Sequence, residues 1–247
     1  MKKSKIFPFI MLLVKWSGAA VVDGRGKLGG TVFSKSRAGA TARNKVTPIN
    51  RRSTAQQLRR AVFGALSQAW RTLTQTQRNG WNALANTAFT STNIFGDVVK
   101  KAGNALFIAL NANLNLVEQN TISDPPNVED TAAPAYALEA TADVSATQLF
   151  LTTKFDAGLE IVPADNYLAI YATSKLSPGV SYVNSQFRFL GYIGEGETTS
   201  SFNLWGPYSG VYGAPAVGDN IAFRVQTING ASGASGVPLQ GTLAISA

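Results

Sequence analysis

The stretch GRGKLG, residues 24 to 29, has the Gly-x-Gly-x-x-Gly spacing that lets a backbone close around a pyrophosphate. That chemistry needs a helix opening at the last glycine and an acidic residue about 20 positions on to take the ribose hydroxyls. Neither is present. The next residues, TVFSKS, alternate and are β-branched or aromatic, so they read as a strand, and no Asp or Glu occurs between Asp23 and Asp97. A Walker loop fails as well, because Lys27 is followed by Leu28 where a Ser or Thr is required. With His 0 and Cys 0 there is no imidazole or thiolate for a zinc site, a His-based triad or a cysteine nucleophile, and no disulfide. Carboxylate pairs remain, Asp156 with Glu160 and Glu195 with Glu197, which could serve as acid and base or hold calcium. Each lies in a turn with no third partner, so no catalytic residue, metal or cofactor is expected.

Basic residues are the denser feature. Residues 1 to 60 hold 14 Lys or Arg against one acid, giving +13, whereas residues 121 to 247 hold 4 against 11, giving −7. Arg25, Lys27, Lys35, Arg37, Arg43, Lys45, Arg51 and Arg52 form the series. Such an arm fits phosphate or an acidic protein surface, or simply solvates a face. Base-specific reading is not expected, since no recognition helix or zinc module accompanies it. Among the aromatics, Trp70 and Trp81 sit on helical faces beside leucines and read as core. Trp205, Tyr208 and Tyr212 lie in NLWGPYSGVYGAP, a glycine-rich loop that would either offer a platform to a sugar or a partner protein, or fold over the end of its domain.

The elements that position these groups fall into two grammars. Residues 1 to 120 read as a basic α+β anchoring domain. Two or three short strands, LLVKWSGAAVV, GTVFSK and GATARNKVT, are separated by glycine turns at 24 to 30 and near Gly39. The GRGKLG glycines Gly24, Gly26 and Gly29 would supply positive φ to a hairpin turn. A helix follows Pro48, capped by Ser53 or Thr54, with Leu58, Val62, Leu66, Ala69 and Leu73 on one face. Thr74 and Gln77 form a capping box that starts a second helix and a helical hairpin. A third helix is read from VVKKAGNALFIALNANLNLVEQ, with Leu106, Leu110, Leu114 and Val117 on a stripe. Residues 121 to 134 carry three prolines and three acids without periodicity and read as a linker. Residues 135 to 247 hold seven short alternating runs with Gly or Pro turns, the pattern of an all-β immunoglobulin or fibronectin III-like sandwich.

The start, MKKSKIFPFIMLLVKWSGAA, has a basic head and nine apolar residues, Ile6 to Val14, too few to span a bilayer. Lys15 and Trp16 interrupt it before the small residues, so retention as a strand or buried plug is expected, with Met11 an alternative start.

Several separated segments carry a resemblance: LLVKWSG, RGKLGGTVFSKSRAGATARNKVTPIN, LSQAWRTLTQTQRNGWNA, and NIFGD followed by GNALFIALNANL. In this order they resemble tailed-bacteriophage virion proteins, including those of crAss-like phages. The resemblance implies a non-enzymatic structural protein located in the virion, an auxiliary capsid or head decoration protein present in multiple copies. Its expected partners are the major capsid protein or other virion proteins, with DNA as a second partner for the basic arm. Residues 1 to 10 precede the point where the resemblance begins. The alternatives are a nucleic-acid-contacting portal, connector or tail-associated protein, and a glycan-binding adhesin.

Overall fold

The computed structural model describes residues 13–16, 25–36, 39–47, 49–50, 52–128, 130–155, 158–177, 180, 183 and 186–245. The chain is of mixed α+β class, with four helices and several antiparallel sheets among these residues. Residues 1 to 12, Gly24, Arg37, Arg51 and Asp156, on which parts of the sequence reading fall, lie outside them.

Among the described residues, four strands precede Pro48, where two or three were expected: β1 (Leu13–Trp16), β2 (Gly26–Leu28), β3 (Thr31–Ser36) and β4 (Gly39–Asn44). They form an antiparallel sheet in the order β1-β4-β3-β2. The additional strand is β2, inside the segment read as a turn. The chain reverses at Gly29–Gly30, since Leu28 pairs with Thr31, and Gly29 has φ +55°. A two-residue hairpin turn of this hand needs positive φ, which glycine adopts without a Cβ clash.

Helix α1 (Thr54–Thr72) is capped by Ser53, whose hydroxyl accepts the Gln56 amide at 3.4 Å. Helix α2 (Gln75–Thr87) carries the expected capping box: Thr74 Oγ1 accepts from the Gln77 amide at 3.3 Å, and Gln77 Oε1 accepts from the Thr74 amide at 3.0 Å. The expected helical hairpin is not what forms. Both helices pack on a third, α3 (Gly103–Leu116), rather than along each other. Leu66, Leu73, Trp81, Leu84, Leu106, Phe107 and Leu110 make their shared core. Trp81 is fully buried, edge-on to Phe107 with ring centres 5.3 Å apart, and half-buried Trp70 lies 5.5 Å from the same ring. The third helix begins later than its sequence suggested. Thr90–Thr92 (β5) and Val98–Lys100 (β6) form a hairpin first. Its turn is built by Asn93, whose side-chain oxygen accepts the amides of Phe95 and Asp97, each at 2.9 Å. The β-branched Val98 and Val99 then favour the extended backbone.

Beyond residue 134 lie the hairpin β7 (Ala137–Asp143) and β8 (Gln148–Lys154), then β9 (Asn166–Ala172), β10 (Arg188–Ile193), α4 (Trp205–Tyr212), β11 (Asn220–Asn229) and β12 (Leu239–Ala244). The antiparallel order β10-β9-β11-β12 makes one layer. The β7–β8 hairpin faces it across a core of Leu149, Leu151, Leu168, Ile170, Phe223 and Val225. The run TSSFNL, expected as one of the seven strands, is a 3-10 turn at Thr199–Ser201 followed by an isolated bridge from Asn203 to Phe150. The buried Thr199 hydroxyl accepts the Thr153 amide at 3.0 Å and lies 3.1 Å from the carbonyls of Thr153 and Glu160. A side chain thus takes the place of a backbone ladder, which removes the need for a strand.

The two parts meet on the outer face of β9 and β11. Val117, just past α3, is buried with Ala169 and Ile228. Asn113 Nδ2 donates to the Gly233 carbonyl at 2.9 Å, and Tyr192 donates its hydroxyl to Glu118 at 3.1 Å. This contact explains why β11 is buried on both faces near its end, where a one-sided strand would alternate. The described residues of 121–134 hold no helix or strand and are fastened to both parts. On one side Trp81 Nε1 donates to Ser123 O at 2.8 Å, and Asn111, fully buried, accepts from the Ile122 amide at 2.8 Å. On the other, the hydroxyls of Thr227 and Ser232 donate to the carbonyls of Ala133 and Asp130 at 2.7 and 2.6 Å.

Candidate docking surface

The basic series is distributed by strand register. Lys27 pairs with Val32, and Val32 with Arg43, so the two cations share one face of the sheet. Two strand spacings separate them, roughly 10 Å. Ser34 and Thr41 occupy the next row of the same face, their hydroxyls 2.7 Å apart. On the opposite face lie Thr31, Phe33 and Lys35 of β3 with Ala40 and Ala42 of β4. Ala40 is buried and Phe33 and Ala42 are half-buried. The sheet therefore has a polar, cationic side and an apolar side, and Lys35 belongs with the latter. The edge strand β2 is three residues long and carries Lys27, two features that discourage edge-to-edge pairing.

Arg25, Lys27, Arg43, Lys45 and Arg52 are exposed, and Arg59 and Arg60 extend the series onto α1. Among the described residues, none of these seven forms an ion pair. Arg60 donates to the neutral Asn50 side chain at 3.0 Å. The first half of α1 is exposed and brings Arg59 near Tyr171 on the C-terminal sheet. There burial raises the pKa of Tyr171, and the nearby Arg59 and Arg224 pull it part of the way back. The structure thus gathers the described members of the series on the N-terminal sheet and its exit into α1, with Arg37 and Arg51 outside the described residues. Arg59 and Arg60 were not singled out in the sequence. The signal was there, in that they continue the acid-free run.

The aromatic group is arranged differently. NLWGPYSGVYGAP is not a glycine-rich loop; residues Trp205–Tyr212 are α4. Pro207 falls in the first turn, where its missing amide costs no helical bond, and Gly213 at φ +86° ends the helix. The spacing of Tyr208 and Tyr212 puts both on the face toward the body. Tyr208 is buried and donates to Thr173 O at 3.3 Å, and Tyr212 donates to Ala172 O at 2.8 Å. Burial pushes the Tyr208 hydroxyl up to about 12. Trp205 is half-buried against the same core. The group closes the end of the two-layer part, the folded-over arrangement, and Tyr208 has no ring face to offer a ligand.

The carboxylates serve their own loops. Glu195 Oε2 accepts the Asp165 amide at 2.7 Å and Glu197 Oε2 accepts the Gly194 amide at 3.4 Å. Among the described residues no three acidic groups gather closely enough to hold a metal ion, and no helix is long and apolar enough to cross a membrane. No family model, curated protein or solved structure matches the chain.

Proposed function

We propose that the chain is a non-enzymatic structural component of a tailed-phage particle, an auxiliary capsid protein. It attaches through its basic N-terminal part and projects its acidic β part outward. The observation that carries this reading is the acid-free surface of the N-terminal sheet and the start of α1, where Arg25, Lys27, Arg43, Lys45, Arg52 and Arg59 stand exposed without a carboxylate partner. Cations held about 10 Å apart on a sheet face attract an acidic protein surface at low cost in side-chain desolvation. The β part is read here as an immunoglobulin-like sandwich, on the strength of its two antiparallel layers over one core. Repetition of the contact around a symmetric shell would multiply individually weak attachments through avidity.

Fractionation of purified particles tests the reading. The chain should band with the particles and be stripped as salt is raised; finding it only in infected lysate and never in particles refutes it. The same cationic face favours a second reading, direct contact with packaged DNA. Titration of the full chain with duplex DNA decides between them, because phosphate contact would weaken steeply with salt and a flat or absent response leaves the protein surface.

A further inference from the structure

The loops at one end of the two-layer part enclose an open hollow of about 580 Å³ lined by Phe155, Leu159, Ile161, Val162 and Pro163. Leu159 and Ile161 are exposed there. The loops are zipped together: the Val162 amide donates to Glu197 O at 3.0 Å and the Gly196 amide to Val162 O at 2.9 Å. The hollow is therefore pre-formed. Glu160, Asp165, Glu195 and Glu197 stand in these two loops, and among the described residues none of them is in an ion pair.

The opposite charge is on the same chain, beside an exposed aromatic ring. Gln56, Arg59, Arg60 and Phe63 follow the i, i+3, i+4, i+7 pattern and line one open side of the first half of α1. Phe63 is 60% exposed one turn beyond the two arginines, an apolar knob with cations on one side. The two surfaces share no residue.

We infer that a second copy of this chain fills the hollow, with Phe63 of one copy seated among Leu159, Ile161 and Val162 of the next and Arg59 and Arg60 facing the loop carboxylates. Charge selects this occupant. With +13 in residues 1 to 60 and −7 in residues 121 to 247, contact between the first part of one copy and the last part of another joins opposite signs, whereas contact between like parts would repel. Such a contact closes reciprocally in a two-fold pair or, where geometry forbids that, repeats as a ring or row. It does not depend on the virion reading and would hold for the isolated chain.

Sedimentation velocity of the full chain over a concentration series tests it. The parent should assemble with concentration, and raising the salt should weaken assembly about tenfold or more by screening. Arg59→Glu with Arg60→Glu removes the knob's charge, and Leu159→Lys with Glu160→Lys spoils the hollow; all four sites are on exposed or half-exposed surface, and circular dichroism checks each fold. Each variant alone should be monomeric. Their mixture should give a one-to-one dimer and nothing larger, because one copy keeps its hollow and the other its knob. A parent that stays monomeric up to about 1 mM, where even weak contacts are populated, overturns the inference. So does a mixture in which no dimer forms, or a variant that assembles as the parent does.

Discussion

Replacing Gly233 with Ala probes the seam between the helical and β parts. Gly233 has φ +72°, and a Cβ there would collide with the Leu110 carbonyl in the middle of α3, with its carbon at 2.8 Å and the Leu110 Cα at 3.1 Å. A carbonyl inside a helix cannot turn aside without breaking its own bond, so α3 must move off the sheet. Three costs follow: about 1–2 kcal/mol for a left-handed alanine, about 1–3 kcal/mol for the overpacked contact, and about 1 kcal/mol for the strained Asn113 bond to the Gly233 carbonyl. The expected destabilisation is about 3–6 kcal/mol. Gly196, at φ +73° with nothing near its would-be Cβ, is the control, and Gly196→Ala should cost only the conformational part, about 1–2 kcal/mol. Urea unfolding of the full chain, followed by circular dichroism and tryptophan fluorescence, measures both. In a Trp16→Phe, Trp205→Phe background, where the remaining Trp70 and Trp81 report α1 and α2 while the far-ultraviolet signal includes the sheets, Gly233→Ala should also separate the two signals. If the two alanine variants unfold within about 0.5 kcal/mol of each other, the close approach of α3 to Gly233 is wrong.

Trp81→Phe leaves the Ser123 carbonyl without its indole donor and opens space beside Phe107; it should cost about 2–4 kcal/mol in the same urea assay. Thr74→Ala dismantles the capping box and should cost about 1 kcal/mol, read as a lower urea midpoint with unchanged slope. Tyr208 keeps its proton in the fold up to about 12, against an ordinary value of 10.0 when unfolded. Its contribution is therefore complete below pH 10 and lost as pH rises toward 12, so Tyr208→Phe should flatten the fall in stability across that window in melting curves taken at successive pH values.

Helices α1, α2 and α3 were the legible part of the fold because each carries a signal confined to neighbours in sequence. Ser53 and the Thr74–Gln77 pair mark their starts, and the stripe Leu106, Leu110, Leu114, Val117 is buried throughout. What escaped was decided by other means. The β5–β6 turn depends on one Asn93 oxygen taking two amides, and Thr199 replaces a strand with its hydroxyl; neither leaves a periodic trace. In α4, three glycines within thirteen residues suggested a loop, while packing of Tyr208 and Tyr212 outweighed the roughly 1 kcal/mol that each helical glycine costs. The cations of the docking surface could be counted in the sequence but not assigned to faces. Lys27 and Arg43 are together, and Lys35 opposite, only because of the register, and a slip of one residue would reverse it.

The fastening of residues 121–134 fixes how the chain can be divided for experiment. Thr227, Asn229 and Ser232 donate to the carbonyls of Ala133, Thr131 and Asp130, so a β fragment begun at Tyr136 would lose all three acceptors along β11 and the turn that follows it, leaving Ser232 only Asn229 Oδ1. A helical fragment ended at Asn120 would likewise strip Trp81 and Asn111 of their acceptor and donor at Ser123 and Ile122. Cutting between these anchors, after Pro126, keeps each set with its own half.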